Sequence, residues 1–94
     1  MNIFAKLPAR PSVHIDLSRT FIRRTDLSGA NLVGANLSYA DCTNAIFRGA
    51  DFRDAQLEGT ILRGADLTGA KNLSREQLGK AILDERTLLP DGLR

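Results

Sequence analysis

The sequence predicts an all-β solenoid, a coil of short extended segments that turns a corner every five residues. Thr25 to Gly69 consists of nine consecutive five-residue units without an insertion: TDLSG ANLVG ANLSY ADCTN AIFRG ADFRD AQLEG TILRG ADLTG. A period of five fits neither regular structure. On an α-helix five residues advance about 500°, so the Leu or Phe at each unit's centre would rotate by roughly 140° per unit and form no stripe. On a strand, where side chains alternate, successive centres would point to opposite faces. Only a chain that turns once per unit sends every centre inward.

IDLSR from Ile15 and TFIRR from Thr20 extend the register to eleven units, spanning residues 15–69. Their centres, here position i, are Leu17, Ile22, Leu27, Leu32, Leu37, Cys42, Phe47, Phe52, Leu57, Leu62 and Leu67. Position i−2 is Ala in seven units and Thr at 20, 25 and 60. A small residue there lets the walls of a narrow core approach while the large centre fills the middle. Position i+2 takes Gly29, Gly34, Gly49, Gly59, Gly64 and Gly69, which marks a recurring corner with unusual dihedrals or a close approach.

ADLTG, ANLVG and ADFRD resemble the A(D/N)LXX units of the pentapeptide repeat family, and the resemblance covers 55 of 94 residues. It implies a right-handed quadrilateral parallel β-helix with four units per coil, in which residues twenty apart stack. Eleven units then make just under three coils, a squat prism roughly 13 Å tall at a strand spacing of about 4.8 Å.

The remaining chain divides in two. Residues 1–14, MNIFAKLPARPSVH, break the register and carry two prolines, so they form no further coil. They are either a cap, with Ile3, Phe4 and Leu7 over an otherwise open first coil, or an arm whose Lys6 and Arg10 attract an acidic partner. Residues 70–94 predict a C-terminal capping helix and extended tail. Ser74 followed by Gln77 is a capping box, and Leu73 with Leu78 occupies the staple positions. The helix should start at Arg75 and run to about Leu83, weakened by Gly79. Pro90 and Asp91-Gly92 punctuate the tail. Leu83, Leu88, Leu89 and Leu93 exceed what a small cap needs, and offer a seam for a homodimer formed through one end of the solenoid.

Ninety-four residues make one domain. There is no apolar run long enough for a membrane span, and the first fourteen residues lack the apolar stretch of a signal peptide, so the expected setting is cytoplasmic. Cys42 lies at a centre position, where it is a small buried hydrophobe. With one histidine, His14, and no glycine-rich phosphate loop before a helix, the inventory argues against an enzyme, and no cofactor is expected. The i−1 Asp and Asn residues serve the repeat by bonding nearby backbone. Metal binding by Asp16, Asp26, Asp41, Asp51 and Asp66 is disfavoured, because stacking puts them on different faces or far apart.

Sorting outward residues at intervals of twenty gives four faces, and the second departs most from the repeat pattern. Where Asp or Asn is usual, it carries Phe21 and Ile61 flanking Asp41; Arg23, Thr43 and Arg63 lie alongside, and Arg24 adds a charge. Exposed apolar groups ringed by arginine fit a protein-binding patch. The competing reading covers Phe21 with the N-terminal segment and Ile61 with the C-terminal one. The resemblance also implies a DNA-mimicking inhibitor or protector of DNA gyrase or topoisomerase as an alternative. That mechanism needs a long acidic rod, whereas residues 15–69 hold seven acids against six arginines and the whole chain is +2. Direct nucleic-acid binding is disfavoured too, because acids are interspersed among the bases and Phe21 and Tyr39 offer little stacking surface. The expected role is therefore a non-catalytic protein–protein interaction module whose partner the sequence does not identify.

Overall fold

The computed structural model describes residues 14–94. The N-terminal cap or arm expected of residues 1–14 lies, His14 apart, outside them.

From Asp16 onward each i−1 residue forms a parallel bridge with the residue twenty positions later: Asp16 with Asn36, Asn36 with Gln56, Phe21 with Asp41, Asp41 with Ile61, and so on to Asp51 with Lys71. The backbone bonding repeats unit by unit. Leu17 N–H donates to the Asn36 carbonyl at 2.8 Å, Arg19 N–H to Ser38 at 2.9 Å, and Asn36 N–H returns to Ile15 at 2.8 Å. Each corner closes on itself, as where Ala35 N–H donates to the Leu32 carbonyl. Every extended segment is therefore about one residue pair long, because the chain must turn before a second pair forms.

The corner demands a left-handed backbone. The i+2 residue has positive φ in all eleven units, six glycines together with Arg19, Arg24, Tyr39, Asn44 and Asp54 at φ 56 to 61°. Those five residues cost about 1 kcal/mol each relative to an unstrained conformation. A side-chain acceptor at position i−1 sits beside most of these corners. Asp16, Asp26, Asn31, Asn36, Asp41, Asp51 and Asp66 each accept the backbone N–H two residues on at 2.9–3.1 Å, satisfying a donor that no other rung reaches.

Inside, Leu37, Cys42, Phe47, Phe52, Leu57, Leu62 and Leu67 are buried, as are the alanines at 35, 40, 45, 50, 55 and 65. Phe47 and Phe52 meet edge to face with ring centroids 5.3 Å apart, a favoured aromatic geometry. Thr60 replaces alanine in this wall, and its hydroxyl donates to the Leu37 carbonyl at 2.7 Å. Burial weakens toward the first rung, where Leu17 and Leu27 are half-buried.

The stacking does not stop at Gly69. Lys71 N–H donates to Ala50 and Phe52 N–H to Lys71, after which helix α1 occupies Arg75–Gly79. Its capping box is formed as the sequence predicts: Gln77 N–H donates to Ser74 Oγ at 3.0 Å and Ser74 N–H to Gln77 Oε1 at 2.8 Å. The helix ends at Gly79 rather than near Leu83, because the residues beyond it are recruited by the rung below. Gly59 and Leu62 N–H groups donate to Lys80 and Ile82 carbonyls, and Leu67 N–H to Leu88. Asp84 Oδ1 accepts Gly64 N–H at 3.0 Å where a backbone carbonyl is missing. Leu78 is buried, and Leu73, Ala81, Leu83, Leu89 and Leu93 pack against the same core. The tail is thus a partial further rung with a helical detour, not only an extended strap.

Candidate interaction face

The twenty-residue register brings the predicted face together in a line. Phe21 bridges Asp41, Asp41 bridges Ile61, and Ile61 bridges Ile82. Ile82 was missed by sequence reasoning because the helical detour shifts it to twenty-one residues past Ile61. Phe21 is 85% exposed. Ile61 is half-buried beside Ile82, itself 39% exposed, so the C-terminal segment flanks Ile61 while the line stays open to solvent.

Arg23 Nε donates to Asp41 Oδ2 at 2.8 Å. The other oxygen of Asp41 accepts both the Thr43 N–H and, at 2.6 Å, its hydroxyl. The Thr43 hydroxyl holds the Asp41 carboxyl below its ordinary range against the opposing effect of burial, and Arg23 adds to the lowering. The same device recurs on the third face, where Ile46 replaces the usual Asp or Asn and Arg48 Nε donates to Asp66 Oδ2 at 2.6 Å. An apolar i−1 residue is thus followed by Arg at i+1, which reaches the Asp of the next rung. Arg23 consequently serves the fold, and its presence alone does not single out a binding face.

Arg24 and Arg63 are exposed, and among the described residues neither has an ion-pair partner. Arg23, Arg24, Thr43 and Asn44 line a shallow groove of about 470 Å³. On the adjoining corner the Arg19 guanidinium lies 4.8 Å from the Tyr39 ring centroid, a cation–π contact that the i+2 spacing of twenty would have disclosed.

The proposed seam separates into two places. Leu83, Leu89 and Leu93 border a depression of about 250 Å³ at the end of the coil together with Leu78 and Arg75. Leu88 is 52% exposed and bridges Asp66 on the third face. Cys42 is fully buried, and burial pushes its thiol up to about 12, with Asp41 contributing, so at neutral pH it is an unreactive core side chain. Among the described residues no group of three His, Cys, Asp or Glu side chains is placed to hold a metal, and no helix is long and apolar enough to cross a membrane.

A parallel coil with four five-residue units per turn defines a class of solenoid. The family model for pentapeptide repeats matches eight copies over residues 15–54, 35–71 and 50–84; the chain belongs to the pentapeptide repeat family, whose members form right-handed β-helices. Among solved structures it is similar to the pentapeptide repeat protein Rfr23 of the cyanobacterium Cyanothece 51142, with 30% identity over 82% of this chain and 52% of that one, at a TM-score of 0.71. HetL of Nostoc sp. PCC 7120, a pentapeptide repeat protein involved in regulating heterocyst differentiation, is 29% identical over 82% of this chain and 46% of its own, at a TM-score of 0.41. The chain therefore spans about half the length of these two relatives. No curated protein matches it.

Proposed function

We propose that this chain is a non-catalytic protein–protein interaction module that binds through the face carrying Phe21, Arg24, Ile61 and Arg63, with Arg23 and Asp41 shaping that face from within. The exposure of Phe21 carries the reading. A ring left 85% in water, at a position the repeat ordinarily gives to a polar cap, costs solubility without serving the core, and aromatic and Arg side chains dominate protein contact sites. Residues 15–69 supply the rigid body, and residues 70–94 close its C-terminal end by supplying acceptors to the last full rung.

The test is a pull-down from source cells with the wild type and a Phe21→Asp/Ile61→Asp variant, both first shown to be folded by circular dichroism and urea melts. A specific protein retained by the wild type and lost by the variant supports the module. If the double variant unfolds, these residues are packing contacts and the face is abandoned; a partner retained equally by both places the binding surface elsewhere.

A further inference from the structure

Asp41 and Asp84, which stack along the Phe21 face, are already engaged, whereas Glu85 beside Asp84 is exposed. Asp41 spends one oxygen on Thr43 and the other on Arg23, while Asp84 accepts from Gly64 and Arg86 N–H groups and pairs with the Arg86 guanidinium at 3.5 Å. Arg24 and Arg63 carry charge that no described acid pairs with. Residues 1–13 contain no Asp or Glu, and the chain's remaining 81 residues balance eleven bases against eleven acids. Within residues 15–69 this face carries Arg23, Arg24 and Arg63 against Asp41 alone, while the 81 residues as a whole are neutral.

The groove beside Phe21 is lined by polar side chains, so it gives the protruding ring no apolar seat, and its Arg, Thr and Asn groups suit a carboxylate. We infer that the Phe21 face docks an acidic segment of a partner protein, whose carboxylates meet Arg24 and Arg63 and whose apolar pocket takes the Phe21 ring. Guanidinium groups bind carboxylates through paired, directional hydrogen bonds. Phe21 and Ile61 lie two rungs apart, about 10 Å, the reach of a few residues of extended peptide. An extended polyphosphate fits less well: Asp16, Asp26, Asp51 and Asp66 put negative charge on the three other faces, where a nucleic acid running past this one would meet it. The inference rests on the interaction-module reading and adds the chemistry of the partner.

The experiment places the photo-cross-linker p-benzoylphenylalanine at position 21 of the full chain in source cells and maps the cross-linked peptide by mass spectrometry. The expected product is a peptide from another protein with carboxylates flanking an apolar site. Arg24→Glu/Arg63→Glu should lower its yield by about tenfold or more, and raising KCl from about 50 to about 500 mM in lysate should lower it as well. A synthetic copy of that peptide with its acids changed to lysine should then bind the Arg24→Glu/Arg63→Glu chain in preference to the wild type. A protein cross-link indifferent to both charge reversal and salt overturns the acidic-segment inference and leaves the module reading standing. Cross-linking to a second copy of this chain overturns the acidic-segment inference and leaves a self-associating module; cross-linking to nucleic acid or to nothing overturns both.

Discussion

At the scale of single residues, the corners couple one rung to the next. The Tyr39 ring lies where a Cβ on Gly59 would stand, and the Asn44 side chain covers Gly64 in the same way. A non-glycine corner residue thus leans over the glycine twenty positions later, and the Arg19 guanidinium in turn lies against Tyr39. Gly29 has the same positive φ but open space around it. Gly29→Ala should therefore cost about 1 kcal/mol of backbone strain, whereas Gly59→Ala should cost more and quench the Tyr39 environment. Urea melts of the two variants, followed by tyrosine fluorescence, check this; equal midpoints would mean that Tyr39 swings away freely. The glycine period was legible in the sequence, as was the need for an unusual corner. What the glycines make room for was not, because that depends on which residue stacks below.

Among the elements, α1 is five residues long and too short to be stable alone. Gln77 ties it down. Its Oε1 completes the capping box, while its Nε2 donates to the Phe52 carbonyl at 2.8 Å and the Ala55 carbonyl at 3.0 Å. Gln77→Glu retains the acceptor for Ser74 but replaces two donations with a carboxylate facing two carbonyl oxygens. It should destabilise the protein by about 1–3 kcal/mol, read as a lower urea midpoint; an unchanged midpoint would show that the helix is held by Leu78 alone. The helix start could be read from Ser74 and Gln77 because capping is local. Its end and the added rung could not, since Ile82 and Leu88 pair at twenty-one and twenty-two residues and Asp84 stands in for a backbone carbonyl with its side chain. The line through Phe21, Asp41 and Ile61 followed from the period together with the four-unit coil that the resemblance implies, but only the geometry shows that Arg23 repeats the role of Arg48.

For the whole molecule, carboxylates on all four faces hold the coil's backbone in place, and their titration should set its acid stability. Asp16 and Asp26 are lowered chiefly by the hydroxyls of Ser18 and Ser28, Asp51 by Asn72, and Asp84 by the Gly64 N–H. Burial works against the lowering at Asp66, and the Thr68 hydroxyl and Arg48 outweigh it. Groups lowered in the folded state leave the unfolded chain binding more protons on acidification. Their stabilisation is complete above the unfolded carboxyl value of about 4 and disappears as pH falls through the lower folded values. The urea midpoint should accordingly be flat near neutrality and drop below about pH 4, with Asp41→Asn showing a shallower drop; a midpoint indifferent to acid would mean that these carboxylates hold nothing. The stacking interval has a further consequence, in the currency of heredity. Duplicating or losing a single unit by replication slippage leaves the backbone scheme intact yet turns everything downstream by a quarter, parting Arg23 from Asp41 and Arg19 from Tyr39 when it falls between them. Only a slip of a full turn preserves both the coil and its side-chain neighbours, so a lineage that depends on one face can grow or shrink in steps of four units, while one that needs only the scaffold is free to drift unit by unit.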